Sequence, residues 1–123
     1  MKKLRSLIIS LIILTIMVSN GYALEFKNIV VFGDSLSDNG NLFSITEYPS
    51  EPYYQGRISN GPVWYDYLVE ELGVTGITLN YAYAGAQTGY TNVNDDDFNA
   101  DLPGFLDEVE SYLSMAALSI KFP

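Results

Sequence analysis

The 123-residue sequence contains no cysteine and no histidine. Without cysteine there are no disulfide staples and no lipid attachment through a thiol, so the fold must rest on its core alone. Without histidine the chain lacks the side chain that most often takes and returns a proton at neutral pH. Basic residues are scarce as well: six Lys and Arg stand against fifteen Asp and Glu, a formal net charge of −9. Such a balance makes nucleic acid and anionic membrane surfaces poor partners, and leaves neutral or zwitterionic esters compatible. The one long apolar run, Leu7 to Val18, has 12 residues, too few to span a bilayer comfortably.

That run is framed by Lys2, Lys3 and Arg5 before it and Gly21-Tyr22-Ala23 after it. Basic leader, apolar core and small residues are the layout of a secretory signal peptide, predicting cleavage after Ala23 and a domain over residues 24–123. The expected product is secreted, periplasmic or extracellular, with no stable membrane anchor after cleavage; an uncleaved anchor is the other reading. The mature chain would keep Lys27, Arg57 and Lys121 against fifteen carboxylates, a formal charge of −12. Abundant aromatics and a 48% hydrophobic composition argue for a globular domain.

The stretch that organises the rest is Ile29-Val30-Val31-Phe32-Gly33-Asp34-Ser35-Leu36-Ser37-Asp38-Asn39-Gly40-Asn41. A short apolar run ended by glycine and turn residues reads as a buried strand of a parallel sheet. Ser35 then falls on the turn past the strand's carboxyl end, where open α/β sheets bind their ligands. A polar loop built from ordinary turn formers satisfies the same residues.

The nine residues Gly33 to Asn41 resemble the first sequence block of the GDSL (SGNH) family of lipases and esterases, in its secreted bacterial phospholipase, lecithinase and haemolysin-like branch. The resemblance implies a three-layer α/β/α, flavodoxin-like fold and hydrolysis of a small-molecule or lipid ester. It implies Ser35 as the nucleophile, with its own N–H serving the oxyanion. Asp34, Asp38 and Asn39, with Asn41, are read as shaping the turn rather than moving protons. No cofactor or metal is implied.

Further along, Pro49 and Pro52 argue against regular structure in a loop reaching about Asn60. Tyr48, Tyr53 and Tyr54 either line a substrate cleft or cover the core edge. Pro62 suits a helix start and Gly73 its stop, with Val63, Trp64, Tyr67, Leu68 and Leu72 predicted as the buried face and Trp64 as core. An Arg-x-Ser-Asn-Gly-x-x-Trp stretch beginning at Arg57 again resembles the family; an ion pair with a carboxylate is the default for Arg57. Ile77 to Gly89 is read as the second strand and its exit, which a helical crossover would place parallel to the first. Gly85 then lies near Ser35. The segment from Asn80 resembles the family's Asn-x-Ala-x-x-Gly-Ala block, which implies Gly85 N–H as an oxyanion donor; a tight turn is the alternative. Asp95, Asp96 and Asp97 read as a solvated charged turn rather than a calcium site. Leu102, Phe105, Leu106, Val109, Leu113 and Ala116 predict a second amphipathic helix capped by Asp101.

The pattern breaks at the base. A serine hydrolase needs a group to take the hydroxyl proton, and the family's Gly-x-Asn-Asp and Asp-x-x-His blocks do not occur here. The expectation is therefore a fold truncated after about two parallel strands and two to three helices, inactive alone, through a frameshift or premature stop. The competing class is a non-catalytic secreted lipid- or partner-binding fragment, or a pseudogene product. An exposed apolar edge at Ile29 to Phe32 would follow from the missing strand.

Overall fold

The computed structural model describes residues 26–121 together with the isolated position 5; the leader and its cleavage point lie outside the described residues. Two short strands, β1 (Ile29–Val31) and β2 (Thr78–Asn80), pair in parallel with Ile29 opposite Thr78, Val30 opposite Leu79 and Val31 opposite Asn80. The ladder continues past the formal strand ends, where Tyr81 N–H donates to Val31 O at 2.8 Å and Tyr83 N–H to Gly33 O at 3.0 Å. Among the described residues four helices follow: α1 (Asn41–Thr46), α2 (Trp64–Glu71), α3 (Asp95–Phe98) and α4 (Phe105–Lys121).

Successive side chains of a strand point to opposite faces, and β1 uses both. Ile29 and Val31 pack with Val63, Tyr65, Val69 and Ala82, the α2 side. Phe32 turns the other way and meets Phe105 and Tyr112 of α4 edge-on at 6.3 and 5.7 Å, while stacking on Tyr81 at 5.8 Å. The sheet is thus sandwiched between α2 and α4, the expected α/β/α layering. A second cluster of Leu42, Ala84 and Leu102 closes the floor beneath the carboxyl ends of the strands. Among the described residues β1 has β2 as its one ladder partner. Its faces are nonetheless covered: Val31 is buried and Ile29, Val30 and Phe32 are half-buried, less bare than the sequence suggested.

Several local expectations are corrected. The helix α1 lies inside the stretch read as loop. Its first-turn amides have no partners within the helix, and Asp38 supplies one: its carboxylate accepts from the N–H groups of Gly40, Asn41 and Leu42. Likewise α3 forms within the acidic turn, where Asp95 accepts from the amides of Asn92 and Leu102. The helix α2 is rotated from its predicted face. Tyr65 is buried, whereas Trp64 and Tyr67 are 49% and 59% exposed, so Trp64 is not core. The cause is Asp66, drawn inward to accept from Val63 N–H at 2.9 Å and from the Arg57 guanidinium at 2.8 Å. The expected stop holds: Gly73, at φ 57°, ends α2 with its N–H on Glu70 O. Asp101 does not cap α4; Gly104 N–H is met instead by Asp107 at 3.0 Å. Leu113, predicted to face the core, is largely exposed.

Candidate functional site

The site is assembled where β1 and β2 finish. Tyr83 N–H on Gly33 O puts these two residues side by side, and each stands two positions before a residue of interest, Ser35 and Gly85. Ser35 lies on a turn in which Asp34 O accepts from the amides of Ser37 and Asp38 at 2.9 and 3.0 Å. Asp34 tightens the turn further, its Oδ1 accepting from Leu36 N–H at 3.0 Å. Ser35 itself is half-buried, and Leu36 beside it is 75% exposed.

Asp38 anchors the whole arrangement. It is 1% exposed, and its four accepted bonds leave neither oxygen idle. Three go to the start of α1, and the fourth comes from Ala84 N–H at 2.8 Å, across 46 residues of sequence. A buried carboxylate is costly unless its charge is met by hydrogen bonds, and here backbone dipoles meet it. Asn41 ties the same turn to the β2 side, donating to Asn80 O and Ala82 O at 3.0 and 2.9 Å. Asn80 answers by donating to Ser37 O at 2.7 Å. Asn39 is half-buried, and its side chain bonds to no described residue. Asp34, Asp38 and Asn41 thus each hydrogen-bond within the turn or from it to the β2 exit.

Gly85 adopts φ 90°, a conformation side chains rarely take, and a Cβ there would run into Asn92 Oδ1 and Asn94 Nδ2. Those two asparagines hold the preceding carbonyl, both donating to Ala84 O, at 3.2 and 2.9 Å. The chain is thereby fixed on either side of the Gly85 amide. Among the described residues neither Ser35 N–H nor Gly85 N–H donates to a protein acceptor.

Of two side chains at the rim, one departs from its sequence reading and one follows it. The Trp64 indole N–H donates to Ser37 Oγ at 3.1 Å, so the ring borders the serine turn instead of filling the core. Arg57 does pair with a carboxylate, gripping Asp66 through two nitrogens and lying 5.4 Å over the Tyr54 ring. The guanidinium hydrogen bonds hold the Asp66 carboxyl below the usual carboxylate range. Of the other tyrosines, Tyr48 packs on Phe98 at 5.5 Å, and Tyr53 faces an open groove with Phe43 and Pro49. Asp95 is occupied with backbone amides, while Asp96 and Asp97 are exposed.

Sequence reasoning missed Glu108 altogether. It is 1% exposed on α4, Oε2 accepting from Gly33 N–H at 2.7 Å and Oε1 from Tyr83 N–H at 3.0 Å. Burial pushes its carboxyl up to about 7; the Asp38 and Asp34 charges add to the rise, and the two amide bonds oppose it. The available signal was positional. Glu108 lies three residues after Phe105 and four before Tyr112, on the face that meets Phe32.

The nine-residue block, the paired strand exits and the layered frame define an α/β protein with a serine turn at the carboxyl edge of its sheet, and comparison with known sequences places it further. The model of the GDSL-like lipase/acylhydrolase family matches residues 29–119, and the chain belongs to that family. It is 41% identical over 91 residues to the phosphatidylcholine-sterol acyltransferase of Aeromonas hydrophila, covering 72% of this chain and 26% of that protein. The thermolabile hemolysin of Vibrio parahaemolyticus is 32% identical over 98 residues, 77% of this chain and 21% of that protein. A GDSL esterase/lipase of Arabidopsis thaliana is 31% identical over 85 residues, 58% of this chain and 22% of that protein. The matched stretch thus spans about a quarter of the length of these relatives. Among the described residues no helix is long and apolar enough to cross a membrane.

Proposed function

We propose that this chain carries the nucleophile and oxyanion-donor part of a secreted serine ester hydrolase acting on lipid or small esters. Ser35 Oγ attacks the acyl carbonyl, and the amides of Ser35 and Gly85 receive the negative charge that develops on the carbonyl oxygen. Collapse of the tetrahedral intermediate expels the alcohol and leaves an acyl-serine, which water then cleaves. The observation that carries this reading is the pairing of Gly33 with Tyr83. It brings to one edge of the sheet a turn serine and a sterically obligatory glycine, each with an amide free of protein acceptors among the described residues. The basic leader and apolar run at residues 2–18 support export with cleavage after Ala23. The names of the relatives, an acyltransferase for phosphatidylcholine and a hemolysin, support a lipid ester as substrate.

The serine proton needs an acceptor, and this chain has no histidine to supply one. The chain alone is therefore expected to be silent towards esters. Free imidazole provides a stand-in base for the test. The full chain and its Ser35→Ala variant are compared on a chromogenic short-chain ester with and without imidazole. Hydrolysis above the imidazole background in the wild type, lost in Ser35→Ala, supports the reading. Identical rates in the two proteins overturn it. Serine-dependent turnover without imidazole would show instead that the chain already holds its own base.

A further inference from the structure

The most buried ionisable side chain of α4 has no part in the chemistry just described. Glu108 reaches over 75 residues of sequence to Gly33 and over 25 to Tyr83, one carboxylate oxygen on each. Gly33 and Tyr83 already touch through Tyr83 N–H and Gly33 O, so the carboxylate closes a bridge across the two strand exits from below. The amides then proceed in order. Tyr83 N–H is shared between Gly33 O and Glu108 Oε1, Ala84 N–H points to Asp38, and Gly85 N–H, next along, to no described protein acceptor. On the other strand Gly33 N–H is committed to Glu108, and Ser35 follows two residues later.

We propose that Glu108 is a positioning residue, fixing the separation of the Ser35 and Gly85 amides by holding the backbone ahead of each, and loosening that hold when it takes up a proton. The proposal rests on the reading of Ser35 and Gly85 given above. A carboxylate accepts from both amides equally. A carboxylic acid must spend one oxygen on its own proton, and that oxygen becomes the weaker acceptor, so one exit is held less firmly.

The charges facing Glu108 all favour the protonated form. Asp34 and Asp38 stand on the β1 side, and Tyr83 on the β2 side carries a hydroxyl whose own ionisation is pushed up by burial and by the Asp38 and Glu108 carboxylates. On α4 itself the neighbouring acids are engaged elsewhere, Asp107 with Gly104 N–H and Glu110 with the Tyr90 hydroxyl. The one ion pair among the described residues belongs to Arg57 and Asp66, so no described cation compensates Glu108.

The test is a pH titration of amide resonances in the full-length chain by heteronuclear NMR, with Glu108→Gln beside it. In the wild type the Gly33 and Tyr83 amides shift together with a midpoint of about 7. The Ser35 and Gly85 amides shift with the same midpoint. In Glu108→Gln that inflection disappears from all four. If Gly33 and Tyr83 titrate while Ser35 and Gly85 stay flat, Glu108 is only a staple and the proposal fails, leaving the nucleophile reading untouched. If none of the four responds, or if the inflection survives in Glu108→Gln, the proposal fails too. Should the variant not fold, the side-chain carboxyl carbon of Glu108 in the wild type gives the midpoint directly; a value in the ordinary carboxylate range overturns the proposal. Loss of serine dependence in the imidazole experiment would remove the nucleophile reading while leaving this titration intact, so the two failures are distinguishable.

Discussion

The sheet is covered on each face by one long helix, and each helix sends one carboxylate into the protein with opposite consequences. On the α2 side Asp66 accepts from Val63 N–H and is gripped by the Arg57 guanidinium, which holds its carboxyl low. On the α4 side Glu108 also accepts from backbone amides, two of them, but has no described cation, and burial drives its carboxyl up. Hydrogen bonding to amides is common to both. What differs is the compensating charge and the depth. A carboxylate near the surface with an arginine partner is a fastener whose protonation is remote from neutral pH. A carboxylate sunk between two strand ends, met by amide dipoles and by like charges but by no described cation, is poised to titrate there.

The largest effect is expected from a third carboxylate, Asp38, which is buried and belongs to neither helix. Asp38→Ala removes four accepted bonds at once and strands the amides of Gly40, Asn41, Leu42 and Ala84. Each buried unsatisfied donor costs roughly 1–3 kcal/mol, and solvent reaches the α1 end, so a loss of about 3–5 kcal/mol is expected in denaturant unfolding. Asp38→Asn, which keeps an acceptor oxygen, is expected to recover part of it.

Glu108 is next. Glu108→Leu matches the burial but leaves the Gly33 amide without its acceptor and Tyr83 N–H with Gly33 O alone, for an expected loss of about 1–3 kcal/mol at low pH. The pH dependence has a definite sign. Because the folded-state value lies above the ordinary value of 4.5, the native protein binds more protons than the unfolded chain between 4.5 and about 7. This group's contribution is therefore full below that window and is lost as pH rises through it. Melting temperature should fall between those pH values in the wild type relative to Glu108→Gln, which carries no such slope. A wild-type profile parallel to that of Glu108→Gln would contradict the assignment.

The contrast between these carboxylates also marks what the sequence can and cannot disclose. The serine turn, both strands and both long helices are legible because they are local: an apolar run stopped by Gly33, apolar residues at helical spacing, Gly73 as a stop. The pairing of Arg57 with an acid is legible because acids are many and cations few. The face that α2 buries is not, because it is decided by Asp66 turning inward towards Arg57, nine residues away. Nor is α1, whose start depends on an aspartate placed to receive three amides in a stretch otherwise rich in turn formers and followed by prolines. Glu108 is the clearest miss. A glutamate on an amphipathic helix reads as solvated unless the backbone it meets, 75 residues earlier, is already in view.

The Arg57 and Asp66 pair should respond in the opposite sense and more weakly. Asp66 has a lowered carboxyl value, so its contribution is present above the ordinary carboxylate range and is lost as pH falls through and below it. Both side chains are partly exposed, at 13% and 23%, so solvent screens the pair. Arg57→Ala is expected to cost about 1 kcal/mol, as for a two-pronged, partly buried pair, and to flatten the acid limb of the melting profile below pH 4 without touching the neutral limb. A double variant with Asp66→Asn should add little to the single one, because the interaction is already gone.

The smallest effect tests the exposed rim. Trp64 is half-exposed and its one hydrogen bond goes to Ser37 Oγ, so Trp64→Phe removes a surface bond worth about 0.5 kcal/mol while keeping an aromatic ring. Stability should be nearly unchanged, which separates this position from the buried carboxylates. If the indole steadies the serine turn, the same variant should lower the imidazole-supported, serine-dependent rate by a factor of a few with its melting temperature intact. An unchanged rate would confine the indole to the surface, and a large fall in melting temperature would mean that the ring is packed more deeply than its 49% exposure allows.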